Sequence, residues 1–426
     1  MDVRRAAAEI LSRIERERTL ARDAWEGERP AAETALVLGT LRRRGTIDAV
    51  LAAHSSRKLP LIKPGVRAVL RVALFEILWL DDSPAHAVVH AAVENVKALG
   101  RFADLGFVNA LLRGIVRGFT VEAGPADERR TLPRGGGRFL VFRKSVFPAG
   151  ERFLAARGST APWIARRRLA ELGPERALAC LDLQAETPRT CLRIAPGRER
   201  EVEEALAKAA IPFAPDPRAC LLALPPQVRV GPLFELVGEH VVVQDAVASQ
   251  VAPFLAPAQG ARLLDFCAAP GGKATHLAQL VGPRGEVRAW DIDPDRLALV
   301  AENARRLGLA HLSCGPAEGE YDGVLVDAPC SNTGVLARRP EARWRVREKH
   351  LPGLAERQLR ILKDASRHVG PSGTLVYSTC SLESEENLGV VEAFLGRGGF
   401  RLEAARTVYP DEAGGDGGFM ARLLRL

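Results

Sequence analysis

The sequence lacks the features of a membrane or secreted protein. Its longest apolar stretches, such as 69–80, are interrupted by charged residues, here Arg71 and Glu76. No run of about 18 uncharged apolar residues exists, which excludes a transmembrane helix. The first five residues include Asp2, Arg4 and Arg5 and lead into an amphipathic pattern. They contain no apolar core of the kind found in signal peptides. These absences predict a cytoplasmic protein with no membrane partner.

Cysteine pairs of the usual functional kinds are also missing. The seven cysteines are an odd number, and none forms a CxxC pair or a cysteine–histidine cluster with metal-binding spacing. An odd count in a large chain without a signal peptide argues against a disulfide framework. The missing pairs argue against structural zinc, so we expect no bound metal. Any cysteine with a function should therefore be a reactive thiol.

Lysine is rare, with 8 lysines against 52 arginines, and the formal net charge is +8 with a pI of about 9.4. A basic balance favours a polyanionic partner such as nucleic acid. Because the arginine excess extends along the whole chain, the position of basic clusters is more informative than the total charge.

At 426 residues the chain is long enough for several domains, and four regions can be distinguished. Residues 1–122 have apolar positions at helical spacing and predict an all-α domain. Residues 123–160 are basic and interrupted by glycine and proline, which is typical of a linker or insertion. Residues 161–257 mix helical and strand patterns and predict a small α+β module. Residues 258–426 alternate short apolar runs with helical patterns, which predicts a Rossmann-like α/β domain with its ligand at the carboxyl ends of parallel strands.

The first strand of the α/β domain leads into a loop of small residues that precedes a helix. Small residues and glycine let a ligand approach the backbone at a helix N-terminus. The loop has neither GxGxxG nor Walker A spacing. Asp291 follows the second strand, where an acidic residue typically holds ribose hydroxyls. These features favour a nucleoside-like cofactor over a structural turn, and the loop comprises Cys267, Ala268, Ala269, Pro270, Gly271, Gly272 and Lys273.

Two later strands end in loops that contain cysteine. Asp327, Ala328, Pro329 and Cys330 follow one strand, and Cys380 follows the next. A single cysteine is most often a small buried apolar residue. Two cysteines at corresponding strand ends, each in a polar loop, favour nucleophilic chemistry.

The motifs CAAPGGK, DAPCSNTG and YSTCS with a following EEN together resemble those of the cytosine carbon-5 RNA methyltransferases. Residues 84–89 and 106–113 are similar to stretches of the NusB-type RNA-binding domain. The combination resembles bacterial enzymes that methylate small-subunit (16S) ribosomal RNA, and the likeness covers nearly the whole chain apart from residues 121–160. It implies S-adenosylmethionine as cofactor, 16S rRNA as partner, an RNA-binding role for residues 1–122 and 161–257, and a monomer.

The resemblance also implies roles for the site residues. Cys380 would attack carbon 6 of cytosine, Cys330 would assist product release, and Asp327 would hydrogen-bond the base. Lys273, at a helix N-terminus, would lower the pKa of a nearby thiol. Asp291, Asp327 and the loop 267–273 would hold the cofactor, and Cys267 within that loop is expected to be unreactive. The remaining cysteines are interpreted as structural: Cys180, Cys191, Cys220 and Cys314.

Three further segments complete the sequence prediction. The family usually has a Gly-Asp pair that contacts adenine, but this chain has Gly315-Pro316, so either Glu318 supplies the carboxylate or the contact is absent. Ser381 or Ser384 is expected to cap the helix that follows Cys380, and the acidic residues there, including Glu386, are expected to lie in its first turn. A basic run near Cys330 is predicted to contact RNA phosphates and bases, through Arg338, Arg339, Arg343, Trp344 and Arg345.

Several functions remain open on the sequence. The same chemistry could act on another rRNA site or on tRNA, since the catalytic motifs do not separate these. A non-catalytic RNA-binding assembly factor with a degenerate cofactor site is suggested by Pro316. An oxidoreductase is the weakest alternative, because GxGxxG is missing.

Overall fold

The computed structural model describes residues 2–426 except 18, 20, 26–29, 82, 126, 136, 217–220 and 227. It divides into two compact units. Unit 1 comprises Met1–Glu186 and Leu336–Val346, and unit 2 comprises Thr187–Val335 and Arg347–Leu426. Within the described ranges, no helix is long and apolar enough to cross a membrane.

Unit 1 is built mainly of helices, as the apolar periodicity of its first region predicts. Helix α3 shows why: it begins with Pro64, whose fixed φ suits the first helical turn, and twelve of its residues are buried. These side chains form the centre of one continuous core with those of neighbouring helices. The helices are α1 (Val3–Glu17), α2 (Ala31–His54), α3 (Pro64–Trp79), α4 (Ala85–Ala98), α5 (Leu105–Val116), α6 (Glu151–Arg157), α7 (Pro162–Leu172) and α8 (Pro174–Ala185).

The segment 123–160, predicted to be a linker, folds instead as part of unit 1. Strands β1 (Phe119–Glu122), β2 (Thr131–Gly135) and β3 (Arg138–Phe142) form an antiparallel sheet in the order β1-β3-β2. Leu132, Leu140 and Phe142 are fully buried in the core of this unit. Pro133 lies within the edge strand β2, where it pairs with Phe139, and Gly135 is the last residue of that strand. The linker interpretation is therefore wrong for this segment.

Unit 2 begins with a small antiparallel sheet, and the predicted module 161–257 does not form one body. Helices α7 and α8 belong to unit 1, whereas the sheet, in the order β5-β6-β4-β7, belongs to unit 2. Its core includes Leu192, Leu222 and Leu224. The elements are β4 (Thr190–Ile194), α9 (Glu199–Lys208), β5 (Ala214–Asp216), β6 (Leu221–Leu224), α10 (Val230–Val237), β7 (Val241–Val243) and α11 (Ala248–Phe254).

The second sheet of unit 2 has seven strands in the order β10-β9-β8-β11-β12-β14-β13, and it confirms the predicted Rossmann-like fold. The first five strands are parallel, whereas β14 runs antiparallel to both β12 and β13. This antiparallel edge was not predicted. The elements are β8 (Arg262–Asp265), α12 (Gly272–Val281), β9 (Glu286–Ala289), α13 (Pro294–Arg306), β10 (Leu312–Cys314), β11 (Tyr321–Asp327), α14 (Ala342–Arg345, within unit 1), α15 (Leu351–Ser366), β12 (Val369–Thr379), α16 (Leu388–Leu395), β13 (Phe400–Val408), α17 (Pro410–Ala413) and β14 (Gly418–Arg425).

The parallel strands are short and apolar because both faces of the sheet are covered. Val324, Leu325 and Val326 in β11 are all fully buried, and their side chains enter two different core clusters. Continuous apolar runs are typical of parallel strands that are buried on both faces. Strand β11 lies between β8 and β12, which brings the loops after these three strands to one edge of the sheet.

Candidate active site

The glycine-rich loop lies between β8 and α12 and is fixed by side chains on its outer side. The Asp291 carboxylate, just after β9, accepts a hydrogen bond from the Ala269 amide (3.1 Å). Asn303 of α13 donates to the Pro270 carbonyl (3.0 Å). Gly271 has φ of +106°, and a Cβ there would lie 3.1 Å from Val300 Cα, so only glycine suits this turn. The structure thus brings Asp291 and the loop together, as predicted.

Asp265, the last residue of β8, is a buried carboxylate without a hydrogen-bonding partner. Its side chain is fully buried, and neither oxygen makes a hydrogen bond of good geometry to any described residue. Burial raises the pKa of Asp265 to about 7, and the opposing effects of Lys273 and the nearby Cys267 amide do not cancel this rise. An orphaned carboxylate beside this loop fits a ligand with a cationic group, such as the ammonium group of an amino acid moiety.

Lys273, in the first turn of α12, and Asp327, the last residue of β11, form a half-buried ion pair. Lys273 Nζ donates to Asp327 Oδ2 (2.7 Å), and the Ser378 hydroxyl donates to Asp327 Oδ1 (2.8 Å). Burial lowers the pKa of Lys273, but the charge of Asp327 and the hydrogen bond to it outweigh burial, and the net pKa lies above its ordinary value. The Lys273 ammonium is therefore a fixed positive charge whose hydrogen-bonding partner is Asp327.

The two predicted cysteines meet at the carboxyl ends of β11 and β12. Cys330 Sγ lies 3.1 Å from Cys380 Sγ, and Cys380 Sγ lies 3.3 Å from Asn332 Oδ1. The hydrogen bond with Cys380, together with burial, raises the pKa of the Cys330 thiol well above its ordinary value. The lowered thiol pKa expected from Lys273 is therefore not found at Cys330.

Close backbone packing holds the two cysteine loops against each other. The Gly334 amide donates to the Cys380 carbonyl (2.9 Å). A Cβ on Gly334 would lie 2.2 Å from the Gly417 carbonyl oxygen, a distance that real contacts do not show. Glycine is therefore required at position 334, because a side chain there would clash with the Gly417 backbone and with the Cys380 carbonyl oxygen.

The other cysteines occupy different environments. Burial, followed by the charges of three nearby aspartates, raises the pKa of the Cys267 thiol, so this thiol stays protonated. Cys180 and Cys191 are buried, and Cys314 is half-buried. Cys220 lies outside the described residues. No group of three or more potential metal ligands occurs within the described part of the chain.

The structure corrects one predicted RNA contact and weakens another. Arg343 is fully buried within unit 1, where its guanidinium donates to the carbonyls of Gly158 (3.1 Å), Ser159 (2.8 Å) and Gln184. A side chain that is fully buried and already bonded offers no surface to a phosphate. The Trp344 indole donates to a backbone carbonyl in the same unit (3.1 Å), and a guanidinium covers its ring at 4.9 Å. The other three predicted contacts, Arg338, Arg339 and Arg345, are partly exposed.

Sequence reasoning missed the surroundings of the cysteines. The capping prediction is wrong, because α16 begins at Leu388 without a side-chain cap, and Glu386 and Asn387 lie before its first turn. Both side chains are buried and bond to the loop that carries Cys380. The only available signal was the spacing of the acids after Cys380, and acids ahead of a helix more often indicate capping. Glu318, the candidate replacement for the missing adenine contact, is exposed.

Comparisons with known proteins agree with this architecture. The family model for 16S rRNA methyltransferase RsmB/F matches residues 252–424, and the model for the NusB family matches residues 1–117. Ribosomal RNA small subunit methyltransferase B of Escherichia coli O157:H7 (strain EC4115 / EHEC) is 32% identical over 418 residues, which are 92% of this chain and 89% of that protein.

Two solved structures share the fold. The crystal structure of PH0851 matches with a TM-score of 0.74 and 22% identity, covering 99% of each chain. NSun6 from Pyrococcus horikoshii with SFG matches with a TM-score of 0.56 and 22% identity, covering 62% of this chain and 97% of that one. At these identities the structural likeness shows the fold alone.

Proposed function

Because this chain belongs to the 16S rRNA methyltransferase RsmB/F family, we propose that it methylates carbon 5 of a cytosine in 16S rRNA through a covalent adduct with Cys380. Membership of the family makes it an S-adenosylmethionine-dependent methyltransferase with an RNA substrate. One observation supports the cytosine chemistry most directly: the thiols of Cys330 and Cys380 lie 3.1 Å apart at the same sheet edge as the Lys273–Asp327 ion pair.

The residues around the loop 267–273 suit the cofactor. S-adenosylmethionine, when bound, supplies an electrophilic methyl group carried on a positively charged sulfur. The loop and Asp291 would hold its ribose and amino acid parts. The buried Asp265 carboxylate has no partner of its own and would accept hydrogen bonds from the ammonium group.

The two cysteines divide the chemistry of the base. Carbon 5 of cytosine is a weak nucleophile until the Cys380 thiolate forms a bond from sulfur to carbon 6 and the double-bond electrons move towards carbon 5. After carbon 5 has been methylated, the Cys330 thiol gives its proton to solvent water, and the resulting thiolate removes the carbon-5 proton. The double bond then reforms, the sulfur–carbon bond breaks, and Cys380 leaves as thiolate. Asp327, held by Lys273 and Ser378, would hydrogen-bond the polar edge of the base and stabilise the adduct.

The pKa of Cys330 supports this order of events. Its raised pKa keeps Cys330 protonated at neutral pH while it is hydrogen-bonded to Cys380. Once Cys380 has bonded to the base, the largest cause of that rise is removed, so the pKa of Cys330 falls when a base is needed. This fall suits the role in elimination that is proposed for Cys330.

Regions 1–122 and 161–257 are the proposed RNA-binding parts, in a cytoplasmic monomer. The NusB family model supports this role for the first region. In the region 161–257, only the part that forms strands β4–β7 lies in unit 2.

Transfer of labelled methyl groups from S-adenosylmethionine to unmodified 16S rRNA tests the proposal. The wild type should transfer the label, Cys380→Ala should not, and Cys330→Ala should accumulate a covalent RNA–protein adduct. Large-subunit rRNA and tRNA, assayed in parallel, decide between substrates that share this chemistry. RNA and cofactor binding without transfer to any of these RNAs would contradict the proposal and favour an assembly factor.

A further inference from the structure

Glu386 is a buried acid that contacts neither the cofactor loop nor the Lys273–Asp327 ion pair. Its side chain is fully buried in unit 2. Oε1 accepts hydrogen bonds from the Ser331 amide and the Gln358 side chain, both at 2.9 Å, and Oε2 accepts one from the Ser381 hydroxyl at 2.6 Å. All three donors are neutral groups. Burying a carboxylate is costly, and three hydrogen bonds to neutral groups offset only part of this cost.

The donors to Glu386 flank the two reactive thiols. Ser331 directly follows Cys330, and Ser381 directly follows Cys380. The Gln358 amide that donates to Glu386 also donates to the carbonyl of Pro329, the residue before Cys330 (3.0 Å). The Glu386 carboxylate therefore bonds to the residue that follows each reactive cysteine. Gln358, which also bonds to Glu386, holds the residue that precedes Cys330.

A second set of contacts shows that these loops depend on bonds between their side chains. The hydroxyls of Ser331 and Ser381 lie 3.0 Å apart. Asn387, next to Glu386, accepts a hydrogen bond from the Thr379 hydroxyl (2.6 Å) and donates to the Ser381 carbonyl (3.0 Å). The Pro-Cys loop and the Thr-Cys loop leave two different strands, so bonds of this kind fix the distance between their thiols beyond the strand ends.

We propose that Glu386 is a positioning residue that joins the two cysteine loops and so sets the separation of the Cys330 and Cys380 thiols. This inference rests on the proposed function, in which both sulfurs must reach one cytosine. A misplacement of about 1 Å in such an arrangement can lower the rate about a hundredfold.

The test compares Glu386→Ala with Glu386→Gln in the full-length protein. The alanine variant removes all three hydrogen bonds. In the glutamine variant, the amide oxygen can still accept from Ser331 and Gln358, and the amide nitrogen can donate to the Ser381 hydroxyl. We expect kcat to fall about a hundredfold in Glu386→Ala and less than about fivefold in Glu386→Gln, with the KM for RNA nearly unchanged in both. Glu385→Gln, which alters the neighbouring acid, is the matched control and should keep wild-type kcat.

A chemical cross-link reports the thiol separation without any methyl transfer. Dibromobimane becomes strongly fluorescent when it alkylates two neighbouring thiols, and Cys330→Ala gives the background from the other cysteines. Wild type and Glu386→Gln should cross-link, and Glu386→Ala should show a clear loss of yield. If the wild type cross-links but transfers no methyl group, the proposed function fails and the positioning role stands.

Two results would overturn the positioning role. One is equal cross-linking and equal kcat in the wild type and Glu386→Ala, and the other is an equal loss in the alanine and glutamine variants. If Glu386→Ala does not fold, Glu386→Met decides, because it fills the space of the side chain and removes the same three hydrogen bonds. A reduced cross-linking yield and kcat in Glu386→Met would then support the role, and wild-type values would overturn it.

Discussion

Arg343 in unit 1 and Glu386 in unit 2 are buried charges of opposite sign in the same kind of environment. Arg343 donates to three backbone carbonyls, and Glu386 accepts from three neutral donors. The sequence predicts that Arg343 lies at an RNA-binding surface and Glu386 at the end of a helix. In the structure, both side chains are buried. The difference shows that the partners of a charged residue, more than its sequence neighbourhood, determine what it does.

The largest expected effect tests the structural side of this comparison. Arg343→Met leaves three carbonyls unpaired in the core, and we expect it to lower the free energy of unfolding of the full-length chain by about 3 kcal/mol. Urea unfolding followed by tryptophan fluorescence measures this change. Unchanged stability with weaker RNA binding would restore Arg343 as an RNA contact.

A third charge, the half-buried Lys273, differs from both because it has an ionic partner, Asp327, at the candidate active site. Lys273→Met removes the hydrogen bond that holds Asp327, and kcat for methyl transfer should fall about a hundredfold. Single-turnover methylation at saturating RNA and cofactor measures the change. Lys208→Met alters an exposed lysine and serves as the control. Wild-type kcat in Lys273→Met would show that the ion pair is structural.

Asp265 extends the comparison to a buried charge without a protein partner. Its folded-state pKa of about 7 is above the usual unfolded value of about 4, so the folded state holds this proton more tightly. In the ligand-free protein, the contribution of Asp265 to stability should therefore be lost as the pH rises from about 4 to about 7. As the pH rises over this range, the urea concentration at the unfolding midpoint should fall less in Asp265→Asn than in the wild type. Asp295→Asn, at an exposed position, should leave the slope unchanged, and an unchanged slope in Asp265→Asn would contradict the prediction.

The smallest effect is expected from the arginines that stay near the surface. Replacing Arg338 and Arg339 together by glutamine should weaken binding to 16S rRNA about fivefold at low salt, and the difference should shrink as salt is raised. Filter binding over a salt series measures this. Equal affinities at low salt would remove Arg338 and Arg339 from the RNA-binding surface.

Much of the fold could be predicted from the sequence because its signals are local. Apolar runs such as 323–326 and 374–377 mark buried strands, and the strand-end motifs place the loop 267–273, Asp327 and the two thiols at one sheet edge. The antiparallel strand β14 and the edge strand β13 beside it were missed, because strand direction depends on distant pairing. The sheet in 119–142 was hidden by its glycines and prolines.

The environment of the candidate site could not be predicted in the same way. The buried Glu386 carboxylate bonds to Gln358 from a separate helix and to Ser331 and Ser381 from two different loops. These three partners are far apart from one another in the sequence. The same reason explains Arg343, whose acceptors lie about 160 to 185 residues earlier in the chain. Charged residues in the interior are identified by partners that only the folded chain assembles.

The segment Leu336–Val346 belongs to unit 1, although the chain on either side of it belongs to unit 2. The polypeptide therefore passes between the two units three times, and neither unit is a continuous piece of the gene product. During synthesis, the carbonyls of Gly158, Ser159 and Gln184 lack the hydrogen bonds from Arg343 at first. Arg343 is made only after the loop 267–273 and Cys330. We expect unit 1 to mature late in translation, and a fragment that ends at Glu186 to be prone to aggregation.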